Sequence, residues 1–159
     1  MNPGSQTTMI LQPGTAAPDF SLRNQFGQAV SLSAFRGTTP VTLVFFPLAF
    51  SRTCQGELCE LRDHPELFRT AGTELLGISV DSKHALRAWA EEQSYDFPLL
   101  SDFWPHGEVA RSYGVFLDEP GYAARATFVI GVDGVIRASF ATGPGEPRSL
   151  EQYRVALGA

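Results

Sequence analysis

An α/β domain with a central mixed sheet and flanking helices is the fold class this sequence predicts, and three observations carry the prediction. Two short apolar runs, "VTLVFF" at 41–46 and "ELLGISV" at 74–80, read as buried strands. Each is followed by a segment with helical spacing, the alternation expected of parallel strands joined by crossover helices. Near the C-terminus "TFVIG" and "VIRASF" flank Val132, Asp133 and Gly134, and the D-G pair supplies the turn of a hairpin. The 159 residues, 43% hydrophobic and 18% charged, suit one domain with a substantial core. That domain is expected over 13–159, behind a flexible segment at 1–12.

In chain order, "PDFSL" and "VSLSAF" around the glycine-containing "NQFGQ" predict an N-terminal β-hairpin. "VTLVFF" follows, closed by Pro47. "TCQGELCELRDHPELF" places apolar or cysteine positions at 54, 58, 59, 61 and 68, a helix that Gly56 and Pro65 should bend. After "ELLGISV", the stretch "SKHALRAWAEEQ" is a helix capped by Asp81 or Ser82, and "FPLLSD" a short strand. "HGEVARSYG" predicts one more short helix, the hairpin comes next, and "SLEQYRVALG" closes the chain as a helix. This order describes a sheet of the thioredoxin type with an N-terminal hairpin added.

Composition also excludes functions. No run approaches the roughly 18 apolar residues of a membrane helix, and "MNPGSQTTMI" lacks the basic and apolar regions of a signal peptide. A net charge of −5 with singly scattered Arg and Lys offers no basic stripe, so neither nucleic acid nor an anionic membrane is expected as partner. The two cysteines, Cys54 and Cys59, read as thiols of a cytoplasmic protein, where disulfides are transient rather than structural.

Burial alone accounts for many free cysteines. Cys54, however, falls in the first turn of a helix after a strand and a loop, where unpaired N–H groups and the helix dipole favour a thiolate. One helix terminus supplies only about 0.3 to 1 kcal/mol, so a nucleophilic thiolate needs a second positive group. "PLAFSRTC" fits the peroxiredoxin signature P-x-x-x-T/S-x-x-C at Pro47, Ser51 and Cys54, and "RATFVIG" resembles the segment that brings that family's arginine, here Arg125. "LVFFPLAF", "CQGEL" and "LLSDFWPHG" are further similar to the alkyl hydroperoxide reductase E group. The resemblance runs from about Pro18 to about Arg154.

It implies a thiol-dependent peroxidase without cofactor. Cys54 would attack a hydroperoxide, Arg125 would hold thiolate and peroxide, and Pro47 would shield the thiolate from water. Ser51 stands where most members carry Thr, and its hydroxyl would bond the peroxide. Glu57 and Arg148 look like the carboxylate and arginine that orient the first arginine. A thioredoxin or glutaredoxin-like reductant and a homodimer or larger assembly are further implications.

Cys59 departs from the alkyl hydroperoxide reductase E pattern and resembles the resolving cysteine of some bacterioferritin-comigratory-type peroxiredoxins. Five helical residues advance about 7.5 Å and turn about 500°, so a Cys54–Cys59 disulfide would require unwinding, which Gly56 favours. Cys59 as core filler, with an external thiol resolving Cys54, stays open. His64 completes C-x4-C-x4-H, but without a fourth ligand no metal is expected. His84 and His106 read as surface residues, and "FWPHG" as core, pocket wall or dimer surface. Two rival functions are weaker: a disulfide oxidoreductase would need C-x-x-C, and a non-catalytic domain would not need this residue set.

Overall fold

β1 (Ser21–Arg23) and β2 (Ala29–Ser31) pair antiparallel as the N-terminal hairpin. The Asn24 carboxamide oxygen shapes its turn by accepting from the Phe26 and Gln28 N–H groups, and Gly27 takes the left-handed φ of 80° that the tip requires. The computed structural model describes residues 9–143 and 145–158. β3 (Val41–Phe45), β4 (Glu74–Ser79) and β5 (Leu99–Ser101) run parallel, as their continuous apolar composition predicts. β6 (Phe116–Leu117) and β7 (Tyr122–Ala123) form a separate two-stranded ladder. β8 (Arg125–Ile130) and β9 (Ile136–Thr142) are the C-terminal hairpin, and β8 lies antiparallel against β3. The seven-stranded mixed sheet has the order β2-β1-β5-β4-β3-β8-β9.

Among the described residues five α-helices accompany it: α1 (Arg52–Asp63), α2 (Pro65–Ala71), α3 (Lys83–Gln93), α4 (Glu108–Ser112) and α5 (Leu150–Gly158). The single bent helix expected over 53–68 is two helices. Pro65 has no N–H to continue α1 and disfavours helical geometry at the residue before it. His64 accordingly sits at φ −129° and ψ 55°, and Pro65 opens α2. Ser82 rather than Asp81 caps α3, its hydroxyl accepting from the Ala85 N–H, a bond worth about 1 kcal/mol. The second half of "VSLSAF" is a 3-10 turn, Leu32–Phe35, that buries Leu32.

Side chains of β3 alternate across the sheet. Leu43 and Phe45 enter one core with Phe128 and Tyr113, whereas Phe46 and Val44 face the opposite side. On that side Phe46 joins Cys54, Leu58, Leu86 and Trp89, and Val44 joins Leu61, Phe68 and Tyr153. β3 is buried along its whole length, which makes its C-terminal end a rigid origin for the loop that follows.

The segment expected to be flexible over 1–12 lies outside the described residues through position 8. Its remainder is held to the domain: the Leu11 N–H donates to the Tyr113 carbonyl at 3.3 Å, and the Ser139 hydroxyl donates to the Leu11 carbonyl at 2.9 Å. Phe103 and Trp104 of "FWPHG" are exposed, 53% and 80%, so this cluster is not core. His84 and His106 are exposed as the sequence indicates.

Candidate active site

The loop from Phe46 to Ser51 crosses from β3 into α1. Pro47 and Ala49 point inward and are buried, while Leu48 and Phe50 are exposed. Phe50 has a φ of 68°, a left-handed backbone that a phenylalanine adopts only when its surroundings impose it. Ser51 is the N-cap of α1 by position, and its carbonyl accepts from the Gln55 N–H at 2.9 Å. Its side chain makes no capping bond. Ser51 Oγ is the one buried side-chain oxygen or nitrogen without a partner among the described residues.

Cys54 is the third residue of α1, in the turn whose N–H groups have no intrahelical acceptor. Its side chain is fully buried. The buried stripe of α1 is Cys54, Glu57, Leu58 and Leu61, spaced three, four and seven residues from the first. The sequence pattern had Cys59 in that stripe and not Glu57. A carboxylate occupies the position because two arginines answer it there.

Those arginines flank the C-terminal β8–β9 hairpin. Arg125 opens β8, and its Nη1 donates to Cys54 Sγ at 3.3 Å and to Glu57 Oε1 at 2.8 Å. Arg148, in the turn before α5, donates from Nη2 to Glu57 Oε1 at 2.9 Å and from Nε and its backbone N–H to Oε2 at 2.9 and 2.6 Å. All three side chains are almost entirely inaccessible. Removing one member of such a buried network typically costs about 3–5 kcal/mol, because a charge is left without compensation. Beyond it, Arg148 Nη1 donates to Thr127 Oγ1 at 3.1 Å, which donates to the Tyr153 hydroxyl at 3.1 Å.

Burial alone would raise the Glu57 carboxyl, but the hydrogen bonds and charge of Arg148, with the charge of Arg125, hold it below its ordinary 4.5. As pH falls, the unfolded chain therefore takes up this proton before the folded one does. The network's contribution to stability is complete above about pH 4.5 and is lost as pH drops through the folded value. Urea midpoints measured from pH 7 to pH 3 should fall more steeply in the native chain than in Glu57→Gln; parallel curves would count against this assignment.

Cys59 faces α3 and the segment after it. Its Sγ lies 3.4 Å from the Tyr95 hydroxyl and 3.4 Å from Gln93 Oε1. Tyr95 also donates to the Gln55 carbonyl at 3.4 Å, and the Trp89 indole donates to Gln55 Oε1 at 3.2 Å. Burial, with the Cys59 thiol beside it, pushes the Tyr95 hydroxyl well above its ordinary value, so it remains a donor. Both cysteines are free thiols. His64 is turned to its own helix, its Nδ1 donating to the Glu60 carbonyl at 2.8 Å.

The structure thus brings Cys54, Arg125, Glu57 and Arg148 into one bonded cluster. Pro47 and Ser51 lie in the loop that delivers the cysteine, and Cys59 is set among other partners. Gln55, Thr127, Tyr153 and Asp81 were not singled out as part of the site from the sequence. Their long-range bonds join residues 20 to 40 positions apart, and the others fall in segments already explained as strand or cap.

A buried helix-start cysteine bonded by a strand-borne arginine, on a thioredoxin-like mixed sheet, defines a thiol-dependent peroxidase. The AhpC/TSA family model matches residues 13–139, and the chain belongs to that family, the peroxiredoxins. It is 47% identical over 150 residues to alkyl hydroperoxide reductase E of Mycobacterium tuberculosis, across 94% of this chain and 98% of that one. Identity to the chloroplastic peroxiredoxin Q of Oryza sativa subsp. japonica is 38% over 125 residues, 78% of this chain and 56% of the relative. Among solved structures, peroxidoxin BcpB from Mycobacterium tuberculosis aligns with a TM-score of 0.81 at 29% identity, covering 93% of this chain and 97% of its own. Enterococcus faecalis AhpC aligns with a TM-score of 0.84 at 27% identity, covering 94% and 92%.

Proposed function

We propose that Cys54 is the peroxidatic nucleophile of this enzyme, and the observation that carries the reading is the 3.3 Å hydrogen bond from Arg125 Nη1 to its buried sulfur. The Cys54 thiolate attacks the terminal oxygen of a hydroperoxide. An S–O bond forms, the O–O bond breaks, and the leaving oxygen departs with a proton as water or an alcohol, leaving a sulfenic acid. Arg125 follows the negative charge from sulfur to the departing oxygen, a contribution available only inside a site closed to water. Pro47 helps close it.

Ser51 supplies the second hydrogen-bonding group. Its buried hydroxyl has no partner among the described residues, which suits a group that bonds a substrate oxygen when one arrives. Glu57 and Arg148 fix the Arg125 guanidinium, so that little reorganisation remains at the moment of reaction. Hydrogen peroxide and organic hydroperoxides both fit this chemistry.

Cys59 resolves the sulfenic acid: its thiol attacks Cys54 Sγ, a disulfide forms, and the sulfenic oxygen leaves as water. In intact α1 the two sulfurs face different partners, so the first turns of α1 must open, releasing the Gln55 bonds to Trp89 and Tyr95. The disulfide is then reduced by a dithiol protein of the thioredoxin or glutaredoxin-like kind. A cytoplasmic homodimer or higher assembly is the setting we assign, with neither nucleic acid, membrane nor metal as a participant.

The bonds of Cys59 to Tyr95 and Gln93 favour a second reading, in which this thiol stays packed and an external thiol resolves Cys54. One equivalent of peroxide, followed by alkylation and mass spectrometry, separates the two. The expected product is an intramolecular Cys54–Cys59 disulfide, with loss of hydrogen-exchange protection over 53–60. An alkylatable Cys59 beside oxidised Cys54 would establish the one-cysteine cycle instead.

A further inference from the structure

The peroxide-binding loop is held from outside the motif that defines it. Asp81, at the junction of β4 and α3, extends its carboxylate to the middle of the Phe46–Ser51 loop: Oδ2 accepts from the Ala49 N–H at 2.7 Å. The same oxygen accepts from the Ser79 hydroxyl at 2.6 Å. Asp81 is itself fixed, since its N–H donates to Ser79 Oγ at 3.2 Å and its carbonyl accepts from the Ser101 hydroxyl at 2.6 Å. Two strand ends of the rigid sheet therefore aim one charged acceptor at one loop amide.

That amide occupies a decisive place in the chain. It lies two residues after Pro47 and two before Ser51, immediately before Phe50 with its φ of 68°. A left-handed phenylalanine persists only when its neighbours over-determine it. Three contacts do so: the Asp81 bond to Ala49, the Ser51 N–H bond to the Leu48 carbonyl at 3.4 Å, and the Phe50 ring packed on Trp89 with centroids 6.1 Å apart. Of these the bond to an ionised acceptor is the shortest and strongest. Without it Phe50 can return to negative φ, which redirects the chain entering α1 and with it the buried Ser51 hydroxyl.

Resting on the peroxidase reading, we infer that Asp81 is a positioning residue for catalysis: through the Ala49 amide it sets Ser51 and Pro47 for the peroxide. The thiolate does not depend on it, because Cys54 receives its bond from Arg125, which opens β8 and is no part of the loop. Asp81 thus governs how peroxide is received and not how readily the sulfur reacts in general.

The test compares two second-order rates of Cys54, with hydrogen peroxide and with iodoacetamide, a reagent that needs neither Ser51 nor Pro47. Asp81→Ala should slow the peroxide reaction about ten- to a hundredfold, as displacements of this order do, and change alkylation less than about twofold. In a Ser51→Ala background the same substitution should add less than about threefold, because the two residues act as one unit. Asp81→Asn, which retains an acceptor for the amide, should recover most of the loss. If Asp81→Ala does not fold, Asp81→Glu replaces it, moving the carboxylate by one methylene and showing the same loss confined to peroxide. Unchanged peroxide rates in these variants, an equal fall in alkylation, or an undiminished loss in the Ser51→Ala background would overturn the positioning role alone. A native chain that consumes no peroxide would bring down the peroxidase reading and this inference together.

Discussion

Cys54→Ser is expected to consume peroxide no faster than buffer while keeping the native fold. An alcohol at this position is isosteric within a few tenths of an ångström but is not ionised near neutral pH, and the nucleophile of this reaction is the anion. Serine can still accept from Arg125 Nη1, so the fully buried position is not left with an unanswered donor. Circular dichroism and the thermal midpoint should therefore match the native chain closely. The assignment of Cys54 fails if the folded variant retains peroxide consumption at a native rate, since Cys59 alone would then be sufficient.

The second large effect is at Arg125. Arg125→Ala removes the donor shared by Cys54 Sγ and Glu57 Oε1, and peroxide reactivity should fall about a hundredfold or more, the loss found when a preorganised charge-stabilising donor is deleted. A hundredfold corresponds to about 2.7 kcal/mol of transition-state stabilisation. Arg125→Lys should recover only part of it. An ammonium keeps the charge but not the planar fork that meets sulfur and carboxylate in fixed geometry. Glu57 keeps its three bonds from Arg148 in either variant, so the fold should survive and the comparison reports on chemistry. Native reactivity in Arg125→Ala would remove this residue from the mechanism.

What was legible in the sequence were features that local pattern or a short motif encodes. β3 announced itself as the β-rich apolar run "VTLVFF", whose strand residues 41–45 are all buried, and the D-G turn marked the β8–β9 hairpin. Cys54 and Arg125 were placed by motif, and the structure joins them across 71 positions. Features set by tertiary contact were not legible. Glu57 was marked by resemblance but not by pattern: it is charged, so hydrophobic periodicity passed over it, and its two arginines explain why it sits in the buried stripe of α1. Cys59 looked apolar and was counted in that stripe, yet a position five residues on turns away from it. Asp81 was read only as one of two candidate helix caps, with Ser82, because sequence shows its neighbours along the chain and not the amide across the loop. β6 and β7, with two residues each, are too short for any period to register.

The enclosure of Glu57, Arg125 and Arg148 has a consequence for the conditions under which the enzyme works. Mobile ions weaken attractions between charges they can surround, over a screening length of about 8 Å at physiological ionic strength. With these three side chains 3%, 4% and 2% exposed, the counter-ion atmosphere stays outside the cluster. Added salt therefore leaves the field at the sulfur almost untouched, and with an uncharged substrate there is no long-range attraction for it to damp. The reaction should be indifferent to ionic strength over ranges that would slow an enzyme relying on surface charge to gather its substrate.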